Sequence, residues 1–368
     1  VIIGYHAPPP GAKTGVADYA AALLAALRQR GRVDWAPSQA DVHLYHLGNN
    51  QLHRGIYETA MRQPGVVVLH DAVLHHFYLG AFSRERYLAE YVYNYGPWES
   101  DLAQELWLAR AGSGMDVRYF AKPMLKQVGE RSLAVIVHNS AAAEAVRSHA
   151  PEARIVEIPH LFELPALPIE DSGAVRARLG IGEEAFVFGV FGYLRESKRI
   201  LPILQCFDRV HRLLPRARLL LAGSFASPDL ERAVKPWLAH PGVVHLPHLS
   251  ERDFWGVTNA VDCCLNLRHP GAGETSGIGV RLMGLGKTVV FTDGLEIAAL
   301  PADACVRVSP GLEESAQLFE YMKMLMALPE LVRGIGERAA KHVRYHHSLD
   351  RVADRFRETI CDMRPISR

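Results

Sequence analysis

The chain has 368 residues, 49% of them hydrophobic, which at roughly 150 residues per domain gives two domains, each able to bury its own core. Its 41 Lys and Arg against 40 Asp and Glu leave a net charge of +1, which argues against a general electrostatic grip on nucleic acid or an anionic membrane. The composition also excludes disorder, collagen-like repeats and a disulfide scaffold.

The opening Val1 to Gly4 lacks the basic and long apolar regions of a signal peptide, and no apolar run nears the ~20 residues that span a bilayer. A cytoplasmic protein is expected. In chain order, residues 2–5 read as a strand, 8–15 as a turn-rich segment, and 16–30 as an apolar helix closed by Gly31. A strand at 42–47, a helix over about 51–62 and a strand at 66–70 follow. The stretch 72–128 is aromatic and helical and reads as an insertion of two or three helices. Strands resume at 133–138 and 155–158. Pro159, Pro165 and Pro168 mark an interdomain linker over 159–172. The alternation then restarts: strands at 186–191, 219–222, 243–246, 263–267 and 289–292, with helical patterns at 198–214, 276–285, 312–343 and 349–362. The expected fold class is α/β, with two doubly wound parallel sheets whose carboxyl ends face a ligand-binding cleft. The five cysteines, Cys206, Cys263, Cys264, Cys305 and Cys361, form no CxxC pair and read as reduced core residues.

Three segments carry chemistry. Gly284 to Thr288 resembles the tail of a phosphate-binding P-loop, but position 281 is Arg where that motif needs Gly, and the segment ends a helix instead of opening one. A helix-ending glycine is the better reading. The segment 271–279 (Gly-Ala-Gly-Glu-Thr-Ser-Gly-Ile-Gly) leaves a strand and opens a helix. Ser276 is the expected N-cap, and Gly277 and Gly279 allow a ligand close to the backbone. The N–H groups of that first turn suit a phosphate or polyol. Glu274 is placed to accept sugar hydroxyls, and Arg281 lies two helical turns on. A capped structural helix with a solvated Glu274 is the competing reading. The segment 191–199 puts Arg195, Lys198 and Arg199 at a helix start, where cations are unfavourable unless an anion neutralises them. A diphosphate meets that need; a solvated basic loop is the alternative. In the first half, Gly11 to Gly15 lacks a GxGxxG pattern, and His70-Asp71 ends a strand with His75 and His76 nearby. One histidine donating to a substrate fits this pattern better than a metal set.

With these residues in view, the chain resembles a family 4 (group 1) glycosyltransferase, retaining and nucleotide-sugar dependent, of the GT-B fold: two Rossmann-like domains facing a cleft. The stretch 192–198 (Gly-Tyr-Leu-Arg-Glu-Ser-Lys) is similar to the family's Gly-Arg-Leu-x-x-x-Lys motif, which holds the donor diphosphate. Gly192 and Lys198 match, and Arg195 substitutes for the Arg replaced by Tyr193. Glu274 matches the first Glu of the family's Glu-x7-Glu pair, with Thr275, Ser276 and Gly277 after it, whereas Arg281 stands where the ribose-binding Glu is expected. Gly15 lies in a segment similar to the glycine loop beside the diphosphate, and His70-Asp71 is similar to the strand-end pair whose His faces the donor sugar. His248 and Leu249 fall where the base-binding loop lies. The resemblance implies an acceptor-side domain at 1–163, a nucleotide-sugar domain at 164–348, and a final segment, 349–368, returning to the first domain. It implies His70, Lys198 and Glu274 as catalytic residues, a nucleotide-diphosphate sugar donor, a carbohydrate or lipid-linked acceptor, no metal cofactor and no nucleic acid. Peripheral contact at the inner membrane face stays open. Tyr193 and Arg281 also leave open a non-catalytic nucleotide-sugar-binding protein, or an epimerase, of the same fold.

Overall fold

The computed structural model describes residues 1–12 and 14–363; Lys13, in the first glycine segment, and residues 364–368 of the final segment lie outside the described residues. Contacts divide the chain into two units. The first comprises Val1–Leu161, Pro270–Thr275 and His346–Arg368, and the second Phe162–His269 and Ser276–Tyr345. The six residues Pro270–Thr275, read in the sequence as part of the second domain, therefore pack with the first.

In the first unit, strands β1 (Ile2–His6), β2 (Arg32–Trp35), β3 (Val42–Leu47), β4 (Val66–Leu69), β5 (Ala134–Val137) and β6 (Ile155–Glu157) form one parallel sheet in the order β2-β1-β3-β4-β5-β6. Its helices are α1 (Gly15–Arg28), α2 (Arg54–Arg62), α3 (His75–Ala81), α4 (Arg84–Tyr95), α5 (Ser100–Ala109), α6 (Val117–Phe120), α7 (Lys126–Arg131) and α8 (Ser140–His149). In the second unit, β7 (Phe186–Phe191), β8 (Ala217–Ala222), β9 (Val243–Leu246), β10 (Cys263–Asn266), β11 (Thr288–Thr292) and β12 (Val306–Val308) form another parallel sheet, ordered β12-β11-β10-β7-β8-β9. Helices α9 (Ser172–Arg178), α10 (Ile200–Leu213), α11 (Pro228–Val234), α12 (Glu251–Asn259), α13 (Gly277–Gly284), α14 (Glu314–Ala327) and α15 (Pro329–His346) accompany it, and α16 (Leu349–Cys361) follows.

Every residue of β3, β4 and β5 is buried, as central strands of a parallel sheet covered on both faces must be. One face carries Tyr5, Leu44, Val68 and Ile136 against Leu23 and Leu27 of α1 and Phe356 and Ile360 of α16. The other carries Leu47, Val67 and Val137 against Phe77, Tyr87 and Tyr91 of the insertion and Val146 of α8. The insertion contains five α-helices, α3 to α7, where two or three were expected. Ser83 starts α4 as its N-cap, Gly96 (φ +93°) followed by Pro97 ends it, and Pro123 precedes α7. In the second unit Phe188, Val190 and Leu219 pack on Phe207 of α10 and Met322 of α14. The opposite face sets Val187, Leu220 and Cys264 against Val257 of α12 and Leu282 of α13.

Helix α13 ends at Gly284, and Gly286 (φ +83°) turns the chain toward β11, so the glycines near Lys287 close a helix instead of opening one as a P-loop would. Among the described residues all five cysteines are free, but only four are buried; Cys361 is half-buried, not a core residue. No helix of the described residues is long and apolar enough to cross a membrane. Strand order reverses between β1 and β3 in one sheet and between β7 and β10 in the other. The crevice outside the carboxyl ends of such a strand pair is where α/β sheets bind ligands.

Candidate functional site

At the reversal point of the second unit, the loops after β7 and β10 meet. The His269 N–H donates to the Ser197 carbonyl at 2.8 Å. Gly192 leaves β7 at φ +81°, and Gly223 leaves β8 so close to it that a Cβ there would lie 2.0 Å from the Gly192 oxygen. Only glycine fits at Gly223, and the loop after β7 is thereby held against β8, with a bridge from Leu194 to Phe225 continuing the contact. Lys198 is buried, at 6% exposure, and donates from Nζ to the Phe191 carbonyl. A Cβ on Gly192 would lie 3.1 Å from Lys198 Nζ and 3.6 Å from Ile278 Cγ1, which brings Gly192, Lys198 and the first turn of α13 to one place.

Ser276 caps α13, accepting the Gly279 N–H at 3.1 Å, and its hydroxyl lies 3.2 Å from Asn266 Oδ1. The N–H groups of Gly277 and Ile278 are those for which a helix start offers no intrahelical acceptor. Arg268 points the same way, with Nη2 at 3.4 Å from Ser276 Oγ. Asn266 and Arg268 escaped the sequence reading, although both alternate in register at the end of β10. Arg195 is exposed.

Two of the cations expected here face elsewhere. Arg199 gives Nε to Glu314 Oε1 at 2.7 Å, and Glu314 is 1% exposed. Its charge is thus answered inside the protein. Arg199 also holds a left-handed backbone, φ +60°, which costs a non-glycine residue about 1–2 kcal/mol. Arg281 pairs with Glu251 at 3.3 Å and lies over the rings of Phe254 and Trp255, so it is turned onto α12. In the loop before α12, His248 is exposed, while Leu249 is half-buried against the core.

The first unit gathers a second set. Burial pushes His46 and His70 well below 6.5, with neighbouring rings adding to it, so both stay neutral. His46 Nδ1 and His70 Nε2 are 2.9 Å apart. His46 Nε2 has no partner among the described residues. A buried bare lone pair is more easily tolerated than a buried orphan N–H, which puts the His46 proton on Nδ1. His70 then accepts at Nε2 and keeps its own proton on Nδ1, as a donor. Tyr19 of α1 covers this group, its ring 4.8 Å from His70 and 5.1 Å from His138. Asp71 accepts the Asn49 N–H at 2.7 Å and thereby ties down the loop after β3. His75 and His76 do not join His70: His75 bonds Tyr87 and the Lys122 carbonyl, and His76 the Ser113 carbonyl. Gly15 opens α1 with no atom within 4 Å of where a Cβ would lie.

The segment Pro270–Thr275 comes against this set. Ala72 N–H donates to the Ala272 carbonyl at 2.8 Å, and Asn139 Nδ2 donates to the Gly273 carbonyl at 3.0 Å and to Thr275 Oγ1 at 2.9 Å. Gly273 adopts φ +68°, and its loop is closed by Glu274, which accepts the Ala272 N–H at 2.8 Å. His70, Asp71, Glu274 and Thr275 are therefore neighbours in one unit, and Gly192, Lys198, Ser276 and Gly277 in the other. Among the described residues no group of three or more His, Cys, Asp or Glu is arranged to hold a metal ion.

No protein-family model and no curated protein sequence matches this chain. Solved structures do. Sucrose-phosphate synthase from Thermosynechococcus elongatus is 14% identical with a TM-score of 0.71, the match covering 98% of each chain. The Anabaena protein HepE, in complex with UDP-glucose, is 16% identical with a TM-score of 0.67, over 98% of this chain and 99% of its own. WaaG, a glycosyltransferase involved in lipopolysaccharide biosynthesis, is 15% identical with a TM-score of 0.64 over the same shares. At these identities the likeness establishes the fold, which is GT-B.

Proposed function

We propose that this chain is a retaining glycosyltransferase of the family 4 type, moving a sugar from a nucleotide-diphosphate sugar to an acceptor hydroxyl without a metal ion. The observation that carries the reading is the convergence of Lys198, Gly192 and the first turn of α13 at the reversal point between β7 and β10. A cation and a helix start brought to one place suit a diphosphate. In support, HepE is known in complex with UDP-glucose and with UDP and glucose, and it shares this fold.

In this reading the second unit binds the nucleotide, and the first supplies sugar contacts and the acceptor side. As the bond from the anomeric carbon to the diphosphate oxygen breaks, Lys198 and Arg195 take up the charge left on that oxygen, the task a metal ion performs elsewhere. The acceptor oxygen bonds to the anomeric carbon from the same face, and its proton passes to the leaving phosphate oxygen. His70 donates from Nδ1 to the sugar, and Glu274 accepts sugar hydroxyls. Substituting Glu274→Gln is expected to weaken discrimination among donor sugars on one nucleotide. An unaltered preference, measured as the ratio of kcat/KM values, would remove Glu274 from sugar recognition.

The direct test is thermal unfolding with UDP, GDP, ADP, dTDP and CMP and their common sugars, with and without magnesium. A ligand at 100 times its Kd stabilises the fold by about 2.7 kcal/mol. An upward shift with one nucleotide series, equal in both metal conditions, is the expected result. A shift without transfer to any acceptor favours a non-catalytic binder, and no shift at all rejects the reading.

A further inference from the structure

We infer that Arg199 and Glu314 form a positioning clamp that holds Lys198 in place; the inference rests on the reading of Lys198 as the diphosphate contact. Arg199 ends the 3-10 turn Glu196–Lys198 and is at once the cap of α10, so its backbone angle sets how that turn leaves the helix. The angle is left-handed, φ +60°, a conformation that glycine adopts freely and arginine does not. What opposes relaxation is the side chain. Arg199 Nε meets Glu314 Oε1 at 2.7 Å, and Glu314, the first residue of α14, is fully buried with Oε2 lacking a partner among the described residues. Swinging Arg199 out of the left-handed region would strip a buried carboxylate of its cation. The earlier part of the loop is tied separately, Ser227 Oγ to Glu196 and the Ser197 carbonyl to His269 N–H. These tethers lie before Lys198, and the clamp lies after it. Between them the ammonium stays against Gly192.

The test uses the full chain, first without nucleotide. An amine-acylating ester is applied and the rate at each lysine is read by mass spectrometry. Arg199→Ala and Glu314→Gln are expected to raise the rate at Lys198 about tenfold, the population change matching a left-handed penalty. Lys287, a half-buried lysine of the same unit bonded to the Asn259 carbonyl, should keep its rate. The pair Arg199→Gly with Glu314→Gln should restore protection, because glycine keeps φ +60° unaided. An unchanged Lys198 rate, equal rises at Lys198 and Lys287, or a double variant as reactive as the single ones would each overturn the clamp. Glu314→Asp, one methylene shorter, serves where a larger change unfolds the protein, with a rise confined to Lys198 expected. The second arm measures UDP, GDP and ADP affinity. If the unaltered chain binds none, the nucleotide reading fails while the lysine rates still decide the clamp. If it binds one, Glu314→Gln should weaken that affinity in the native background and have no further effect beside Lys198→Ala, whereas additive losses would speak against positioning.

Discussion

Lowering the pH from 7 toward 4 is expected to unfold this protein well before its carboxylates protonate. Burial holds His6, His53 and His138 at about 4 and His75 at about 3, and holds His46 and His70 well below 6.5. In each case the folded state favours the neutral ring, while the unfolded chain takes up a proton near 6.5. The sign follows: the stability these rings give is complete above 6.5 and is lost as the pH falls toward 4. Each ring removes up to about 1.4 kcal/mol per pH unit, or roughly 3 kcal/mol by the time a pKa of 4 is reached. The four rings held at about 3 to 4 together reach the range of the roughly 5–15 kcal/mol that holds a typical native state together, and His46 and His70 act in the same direction. Glu90 acts in the opposite sense, since burial raises its carboxyl and that contribution is present at low pH, but it is one group against six. Urea unfolding followed by circular dichroism at half-unit steps from pH 7.5 to 4.5 reads the slope. A free energy that stays level down to pH 5 would contradict the burial of the histidine set, and His138→Gln should make the slope shallower by one ring.

That set also marks where the sequence was legible and where it was not. Strands rich in β-branched, aromatic and leucine residues announce themselves, so the buried β3 and β7 and the half-buried β9 stand at their expected bounds. β2 and β12 were missed because they are edge strands of four and three residues, and in β2 only Val33 is buried. Ser276 was readable as a cap because that signal is local, a serine ahead of Gly279 at the right spacing. Partners distant in sequence were not. Arg281 sits on the expected helix, yet spacing along a helix does not reveal that Trp255 and Glu251 await its side chain. The pairing of Arg199 with Glu314 crosses 115 positions. Three of the four histidine rings around Tyr19 did leave a trace, since His46, His70 and His138 each fall at or just past the carboxyl end of a central strand. The parallel register pairs His46 with Val68, two residues before His70, and Val68 with Ile136, two before His138, so the three fall on one face of the sheet.

Replacing Lys198 by alanine is expected to lower kcat by roughly 10²- to 10³-fold, the range seen when one preorganised charge-stabilising donor is removed. The reason is positional. Lys198 Nζ and the start of α13 both lie beside Gly192, so the charge released by a departing diphosphate would develop within reach of both. Acceptor KM should change little, because in this reading the acceptor contacts belong to the first unit. Alanine also withdraws the donor from the Phe191 carbonyl, a buried acceptor, at an expected loss of about 1–3 kcal/mol in stability. Thermal unfolding of the variant separates that loss from the kinetic one, and Lys198→Arg extends the test. Arginine keeps the charge, but a planar guanidinium does not reproduce the bond that the buried Lys198 ammonium gives the Phe191 carbonyl. Turnover should therefore recover only in part, while a level near that of the native chain would mean that charge alone suffices. Full turnover in the alanine variant, with the fold intact, would remove Lys198 from the chemistry and leave the first turn of α13 to hold the diphosphate by itself.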